Sequence, residues 1–266
     1  MENSELKEIV KEKYGEIAKK SLKGEEASCC SSSCCGTDEI SDMSESYDQL
    51  SGYNPDADLK LGCGIPTEFA QIKTGDTVVD LGSGAGNDVF IARSFTGESG
   101  KVIGIDFTET MVEKANLNKQ KLKYENIEFL IGDIENIPLD SNFADVVISN
   151  CVLNLVPDKS KAFTEIYRIL KPGAHFSVSD IVVKGNIPND LKKAAEMYAG
   201  CVSGAIDINE YTSIIKNSGF TDVKIQKERE IEIPDESLKK FLSESEYKSW
   251  HNSGNKLVSI NIFGKK

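Results

Sequence analysis

Short apolar runs rich in β-branched residues alternate along the middle of this chain with stretches whose apolar positions recur at helical spacing. The runs predict strands: TVVDL from Thr77, KVIGIDF over 101–107, NIEFLIGDI over 126–134, ADVVISN over 144–150, and AHFSVSDIVV after the Lys171-Pro172-Gly173 break. Between them the pattern predicts helices beginning at Asn87-Asp88 and over 109–121 and 159–170. Strand–helix alternation at this interval specifies an α/β fold, a doubly wound parallel sheet with right-handed crossovers.

Outside that block the pattern changes. Residues 5–20 place Leu6, Ile9, Val10, Lys13 and Ile17 at near-helical spacing and predict a short amphipathic helix. A polar, Ser-rich segment follows, with Cys29, Cys30, Cys34 and Cys35 inside seven residues. It has little to bury, so the sequence predicts a mobile loop there. Gly62-Cys63-Gly64 sets a thiol between flexible glycines, and Pro66 is expected to start a helix running to Ile72. Beyond Pro188 the chain predicts a helix through NDLKKAAEMYAG to Cys201, a second over 208–217, and strands in DVKIQKEREIEI and KLVSINIFG. The expected division is an N-terminal helix and Cys-rich segment over 1–46, a nucleotide-type domain over 47–185, and cap helices with antiparallel edge strands over 186–266.

The first strand carries the clearest chemistry. Asp80 ends it, and Gly82, Gly84 and Gly86 follow at alternate positions before Asn87-Asp88 opens a helix. Glycines there allow a tight turn and close approach of backbone N–H groups to a ligand at the carboxyl end of the sheet. A dinucleotide fingerprint would require glycine at position 87, which is Asn87. Asp106 ends the second strand about 20 positions after Gly86, where a carboxylate meets ribose hydroxyls. Asp133, at the end of the third, is placed to accept from an adenine amino group.

Charge and cysteine usage narrow the partners. The formal net charge of −12 argues against nucleic acid, which is bound through clustered Lys and Arg. No apolar run is long enough for a membrane span, and the charged N-terminus lacks a signal-peptide core, so the expectation is a cytoplasmic protein without a membrane partner. Thiols stay reduced in that compartment. The seven cysteines then read as ligands, redox groups or core rather than as a disulfide framework. The two histidines, His175 and His251, sit in no motif for a general base, and His175 is expected to be a satisfied core residue.

D-x-G-x-G-x-G after the first strand, the acid at Asp106 and the GDIENIP stretch together resemble class I S-adenosylmethionine-dependent methyltransferases over about residues 75–180. The cysteine contexts LGCGIP, SNCVLNLVPDK and YAGCVSGA, with VKEKYGEIA and IDFTETM, resemble the arsenite methyltransferases over about residues 10–220. That resemblance implies a mostly parallel, seven-stranded Rossmann-like sheet and S-adenosylmethionine as methyl donor. It implies cofactor contacts at Asp80, Gly82, Ser83, Gly84, Gly86 and Asn87 in the first turn. It implies further contacts at Asp106, Phe107 and Met111, at Asp133 and Ile134, and at Asn150. Cys63, Cys151 and Cys201 would be the three thiols holding trivalent arsenic. A further N-terminal cysteine pairs with the Cys63 counterpart during turnover in that family; Cys34 and Cys35 both lie at about the right distance, with Cys29 and Cys30 as accessory thiols.

The chemistry has its own logic. Trivalent arsenic is thiophilic, so thiolates outcompete carboxylates and imidazoles for it. Three thiolates fill its trigonal pyramid and leave a lone pair that attacks a methyl group held in line, so proximity and alignment dominate. Arsenite and its thiol conjugates are the expected small-molecule substrates, and the sequence leaves open whether one methyl group is added or two or three. A thiol pair closing to a disulfide would return the two electrons lost by arsenic, with thioredoxin or glutathione as thiol reductant. Taken singly, each cysteine also reads as core. Two other readings stay open: a quinone- or sterol-type C-methyltransferase, which shares DLGSGAG and IPLDSNFADVV, and a non-catalytic metalloid-binding protein.

Overall fold

In the computed structural model of the chain, residues 3–23, 44–185, 204–232, 235, 238–239 and 242–266 are described. β1 (Thr77–Leu81) is buried along nearly its whole length, as its continuous β-branched run requires of a central parallel strand. It pairs in parallel with β2 (Lys101–Asp106) on one side and β4 (Ala144–Asn150) on the other. β3 (Ile127–Ile131) extends the sheet beyond β2, and β5 (Leu170–Lys184) lies beside β4. β7 (Lys256–Lys265) then inserts antiparallel between β5 and the edge strand β6 (Thr221–Ile231). The order is β3-β2-β1-β4-β5-β7-β6, seven strands and mostly parallel, the architecture the resemblance implies.

Side chains of successive strand residues point to opposite faces, and each face has its own core. Val79 and Leu81 join Ile103, Ile105, Phe163, Phe176, Tyr211 and Phe220 on one side. Phe163, from α5 (Lys159–Ile169), meets the Tyr211 and Phe220 rings edge-on at 5.7 and 6.4 Å; Tyr211 belongs to α6 (Ile208–Asn217). Val78 faces the other way, with Val89, Phe90, Met111, Ala115 and Ile148. There α3 (Asn87–Thr96) and α4 (Glu109–Leu122) cover the sheet, and α1 (Asn3–Leu22) packs on α4. Among the described residues no helix is long and apolar enough to cross a membrane.

Several expectations change in detail. The helix from Pro66 is a single turn, α2 (Pro66–Phe69), because the chain must swing into β1 and Gln71 takes φ +49° to do so. Lys171-Pro172-Gly173 does not precede the fifth strand but lies inside it: Leu170 pairs with Ala144, and after a shift of register His175 pairs with Val146. A bulge tolerates the proline that a regular ladder would reject. The third strand stops at Ile131, two residues short of Asp133. A helix absent from the sequence expectations, α7 (Glu244–Ser253), begins at a Ser243/Glu246 capping box. His175 has partners as expected but is half-buried rather than in the core, its Nε2 2.6 Å from the Ala70 carbonyl and its ring on Phe263. The Cys-rich segment and the helix expected before Cys201 lie outside the described residues.

Candidate active site at the carboxyl ends of the central strands

Gly82, Gly84 and Gly86 all take positive φ, at +71°, +53° and +99°. Each has a different reason to be glycine. A Cβ on Gly82 would stand 2.3 Å from Val152, and one on Gly86 would stand 2.8 Å from Phe129. A Cβ on Gly84 would meet no protein atom within 4 Å, because Gly84 borders an open cleft. The turn is anchored by Gly82 and Ser83 N–H groups donating to the Ile105 carbonyl at 2.7 and 3.0 Å. The Gly84 N–H donates to Asp106 Oδ2 at 3.0 Å and the Thr108 N–H to Oδ1 at 2.8 Å. Each carboxylate oxygen keeps a lone pair for a further donor.

The cleft encloses about 1150 Å³ with its open mouth included, enough for a nucleoside-sized cofactor and a small acceptor. It is lined by all the expected cofactor residues except Gly86, which lies beneath the turn against Phe90 and Phe129. Its electrostatics are one-sided. Asp58, Asp80, Asp88, Asp106 and Asp133 line it, against Lys7 as the one basic lining side chain among the described residues. Burial raises the Asp106 carboxyl, against the backbone N–H groups that hold it down. Burial, then the charges of Asp88 and Asp106, push Asp80 well above the ordinary carboxylate range. Asp88 is raised to about 6 by burial, opposed by its hydrogen bonds from Asn150 and Tyr47. Its Oδ1 and the Asn87 Oδ1 are buried without a partner. A pyrophosphate would add negative charge to this set. The sulfonium and ammonium groups of S-adenosylmethionine would relieve it, and the open space at Gly84 leaves room for the ligand, so the residues present fit that cofactor.

Asp133 has a partner that sequence reasoning did not anticipate. Lys7 of α1 reaches Asp133 Oδ2 at 2.6 Å and also bonds Glu135, while the Glu135 N–H donates to Asp133 Oδ1 at 2.9 Å. Lys7, Val10 and Tyr14 thereby form one wall of the cleft.

Asn150, at the end of β4, joins the cofactor cleft to the thiols. Its Nδ2 donates to the Gly64 carbonyl at 2.8 Å, to the Tyr47 hydroxyl at 2.7 Å and to Asp88 Oδ2 at 3.1 Å, and its Oδ1 accepts from the Cys63 N–H at 3.1 Å. Next in sequence, Cys151 holds φ +60°, a conformation uncommon outside glycine. Its N–H donates to the Ser179 carbonyl at 2.8 Å. Cys63 and Cys151, 1% and 3% exposed, belong to one buried cluster with Ile181, Val183, Ala205, Ile231 and Leu257. Cys201 lies outside the described residues, as do Cys29, Cys30, Cys34 and Cys35. Ala205, four residues after Cys201 in sequence, belongs to this cluster.

The glycines beside Cys63 have another role than the flexibility read from sequence. Neither takes positive φ. A Cβ on Gly62 would be 2.6 Å from Asn150 Nδ2, and one on Gly64 would be 2.9 Å from Ser179 Oγ. They are small so that Asn150 and β5 can come close. On the opposite face of β5, Asp180 is fully buried, accepts from the Tyr211 hydroxyl at 2.9 Å, and is pushed up to about 7 by burial against the pull of Lys159. Tyr47, Asp88 as a cleft carboxylate, and Tyr211 escaped sequence reasoning; the polar Asp180 within an apolar strand was the one available signal.

Comparison with known proteins agrees with this geometry. Residues 72–219 match a family described as a methyltransferase domain. The arsenite methyltransferase of Halobacterium salinarum is 35% identical, over 98% of this chain and 67% of its own length. That of Aquipseudomonas alcaligenes is 30% identical, over 92% of this chain and 70% of its own. The crystal structure of an arsenic (III) S-adenosylmethionine methyltransferase from Chlamydomonas reinhardtii superposes with a TM-score of 0.66 at 33% identity, covering 77% of this chain and 67% of that one. The chain thus spans about two thirds of these relatives. With a glycine turn that leaves room for a nucleoside, an acidic cleft suited to a sulfonium and two buried thiols beside it, this chain belongs to the arsenite methyltransferases, a family of S-adenosylmethionine-dependent methyltransferases.

Proposed function

We propose that this enzyme methylates trivalent arsenic held by the thiolates of Cys63, Cys151 and Cys201. The observation that carries the reading is the burial of Cys63 and Cys151 in one cluster, joined through Asn150 to the carboxylates of the cofactor cleft. Ala205, four residues after Cys201 in sequence, belongs to the same cluster and supports the inclusion of Cys201.

The residues divide the work. Asp106 is disposed to accept ribose hydroxyls, and the acid-rich wall at Asp80 and Asp88 to face cationic groups. When bound, S-adenosylmethionine supplies an electrophilic methyl group on a sulfonium. The buried thiolates select a soft acceptor over water or an oxygen nucleophile and exclude solvent from it. With three positions on arsenic taken by sulfur, its lone pair is the one nucleophile, so no side chain needs to remove a proton at the moment of attack. The chain's part is alignment. The two electrons that methylation takes from arsenic are returned by a thiol pair that includes the N-terminal cysteines, Cys34 or Cys35 foremost, regenerated by thioredoxin or glutathione. Cys29 and Cys30 serve as accessory thiols, and successive rounds give dimethyl and trimethyl products.

Incubation with labelled S-adenosylmethionine and arsenite tests this. Wild type should release methylated arsenic, and Cys63→Ser, Cys151→Ser and Cys201→Ser should each lose it. Arsenite-independent transfer that survives all three substitutions would instead identify a carbon methyltransferase, and arsenite binding without transfer a sequestering protein.

A further inference from the structure

Cys63 lies on no strand or helix, between Leu59 and the single turn that opens at Pro66. Three thiolates converging on one atom tolerate little drift, so something outside this loop must fix it. The structure shows what does. The Cys63 carbonyl accepts from Ser259 Oγ at 2.6 Å and from Arg229 Nη2 at 3.2 Å. The Ile65 carbonyl accepts from Asn261 Nδ2 at 3.0 Å, and the Pro66 carbonyl from Ser177 Oγ at 2.8 Å. Ser259 and Asn261 are 3% and 2% exposed and stand two residues apart on β7, so one face of that strand is turned to the loop. Arg229, on the adjoining β6, is itself held: Glu45 Oε1 lies 3.7 Å from its Nε, and Lys227 pairs with the other Glu45 oxygen at 2.6 Å.

Apolar side chains at 259 and 261 would suit a strand buried on both faces and would lose no ladder hydrogen bond. Buried polar side chains cost free energy unless they are satisfied, and here their partners are carbonyls of one irregular loop. We infer that Ser259 and Arg229 are positioning residues for Cys63: through its carbonyl they fix the thiol at the spacing that a three-sulfur arsenic site requires. This rests on the reading of Cys63 as an arsenic ligand. It adds that the C-terminal strands, distant from the cofactor turn, set the affinity for arsenic without setting that for the methyl donor. Partners that orient a ligating residue are worth 10- to 100-fold in affinity at metal sites, and a comparable effect is expected here.

The test uses the full chain with arsenite as probe, quantified by equilibrium dialysis, and S-adenosylmethionine binding followed by calorimetry. Ser259→Ala and Arg229→Gln should each weaken arsenite binding about 10-fold or more, with the S-adenosylmethionine Kd within about twofold of wild type. Arg229 is half-exposed, so its variant serves if the buried Ser259→Ala fails to fold. Arsenite binding unchanged in the variants while Cys63→Ser loses it would overturn the positioning role and leave the ligand assignment standing. Equal weakening toward arsenite and S-adenosylmethionine would also overturn it, as a general loss of structure. Full arsenite binding by Cys63→Ser would overturn the ligand reading, and this inference with it.

Discussion

The amide side chain of Asn150 holds the backbone N–H of Cys63 at 3.1 Å. The same side chain donates to the Gly64 carbonyl and to Asp88, so one residue ties the Cys63 loop to the acidic cleft. Asn150→Ala would leave several buried groups without partners, at about 1–3 kcal/mol each where water cannot replace the lost bond. We expect the affinities for S-adenosylmethionine and for arsenite to fall together, measured separately by calorimetry and dialysis. Loss of one alone would show that Asn150 does not couple the two sites.

Gly82 and Gly84 should fail differently when changed to alanine. At Gly82 the new Cβ meets Val152 at 2.3 Å as well as an unfavourable φ of +71°, so Gly82→Ala should lower the melting temperature. At Gly84 there is open space, so Gly84→Ala should cost only the left-handed backbone, about 1 kcal/mol. Its methyl then stands in the cleft, and binding of S-adenosylmethionine should weaken at least 10-fold. Thermal melts with and without cofactor separate the two; a Gly84→Ala protein that binds like wild type would refute the assignment.

At Cys151 the usual ranking of alanine over glycine should reverse. Glycine ordinarily loses about 0.5–1 kcal/mol to alanine through its greater freedom in the unfolded chain. With φ at +60°, alanine carries the left-handed penalty of about 1–2 kcal/mol. Cys151→Gly should therefore unfold at a higher denaturant concentration than Cys151→Ala, with neither methylating arsenic. The ordinary ranking would mean that this backbone is not strained.

Asp180 gives stability a pH signature. Its carboxyl is near 3.8 when unfolded and about 7 in the fold. The native state therefore binds more protons between those values, and stability falls as pH rises from about 4 through 7. The Tyr211 hydroxyl and the Ile181 N–H donate to it, and the Lys159 charge acts on it. Relative to Asp180→Asn, wild type should lose on the order of 2–3 kcal/mol between pH 5 and pH 8, read from denaturant midpoints at both. Parallel pH profiles would place the proton elsewhere.

The sheet was legible because β-branched runs and their spacing leave few other arrangements, and the glycine turn because all three of its glycines take positive φ. Cys63 and Cys151 were legible only through their sequence contexts; alone, Cys151 looks like core and Cys63, between glycines, least so, yet both are buried. What holds Cys63 was hidden. Ser259 and Asn261 appear in sequence as polar residues alternating with apolar ones, the pattern of a strand half exposed to water. Only the placement of β7 between β5 and β6 shows that this polar side is turned inward. Lys7 was hidden for a similar reason: its partner Asp133 comes near only once α1 has packed on α4.

The position of β7 also orders events during synthesis. The glycine turn, Asp106 and Asn150 are complete once the parallel strands have left the ribosome. The Cys63 and Ile65 carbonyls must wait for Ser259 and Asn261, each made 196 residues after the carbonyl it binds. A growing chain can therefore close its glycine turn before these carbonyls find their partners, and one halted before β7 would keep the Asn150 bond to the Cys63 N–H but lack those that Ser259 and Asn261 donate.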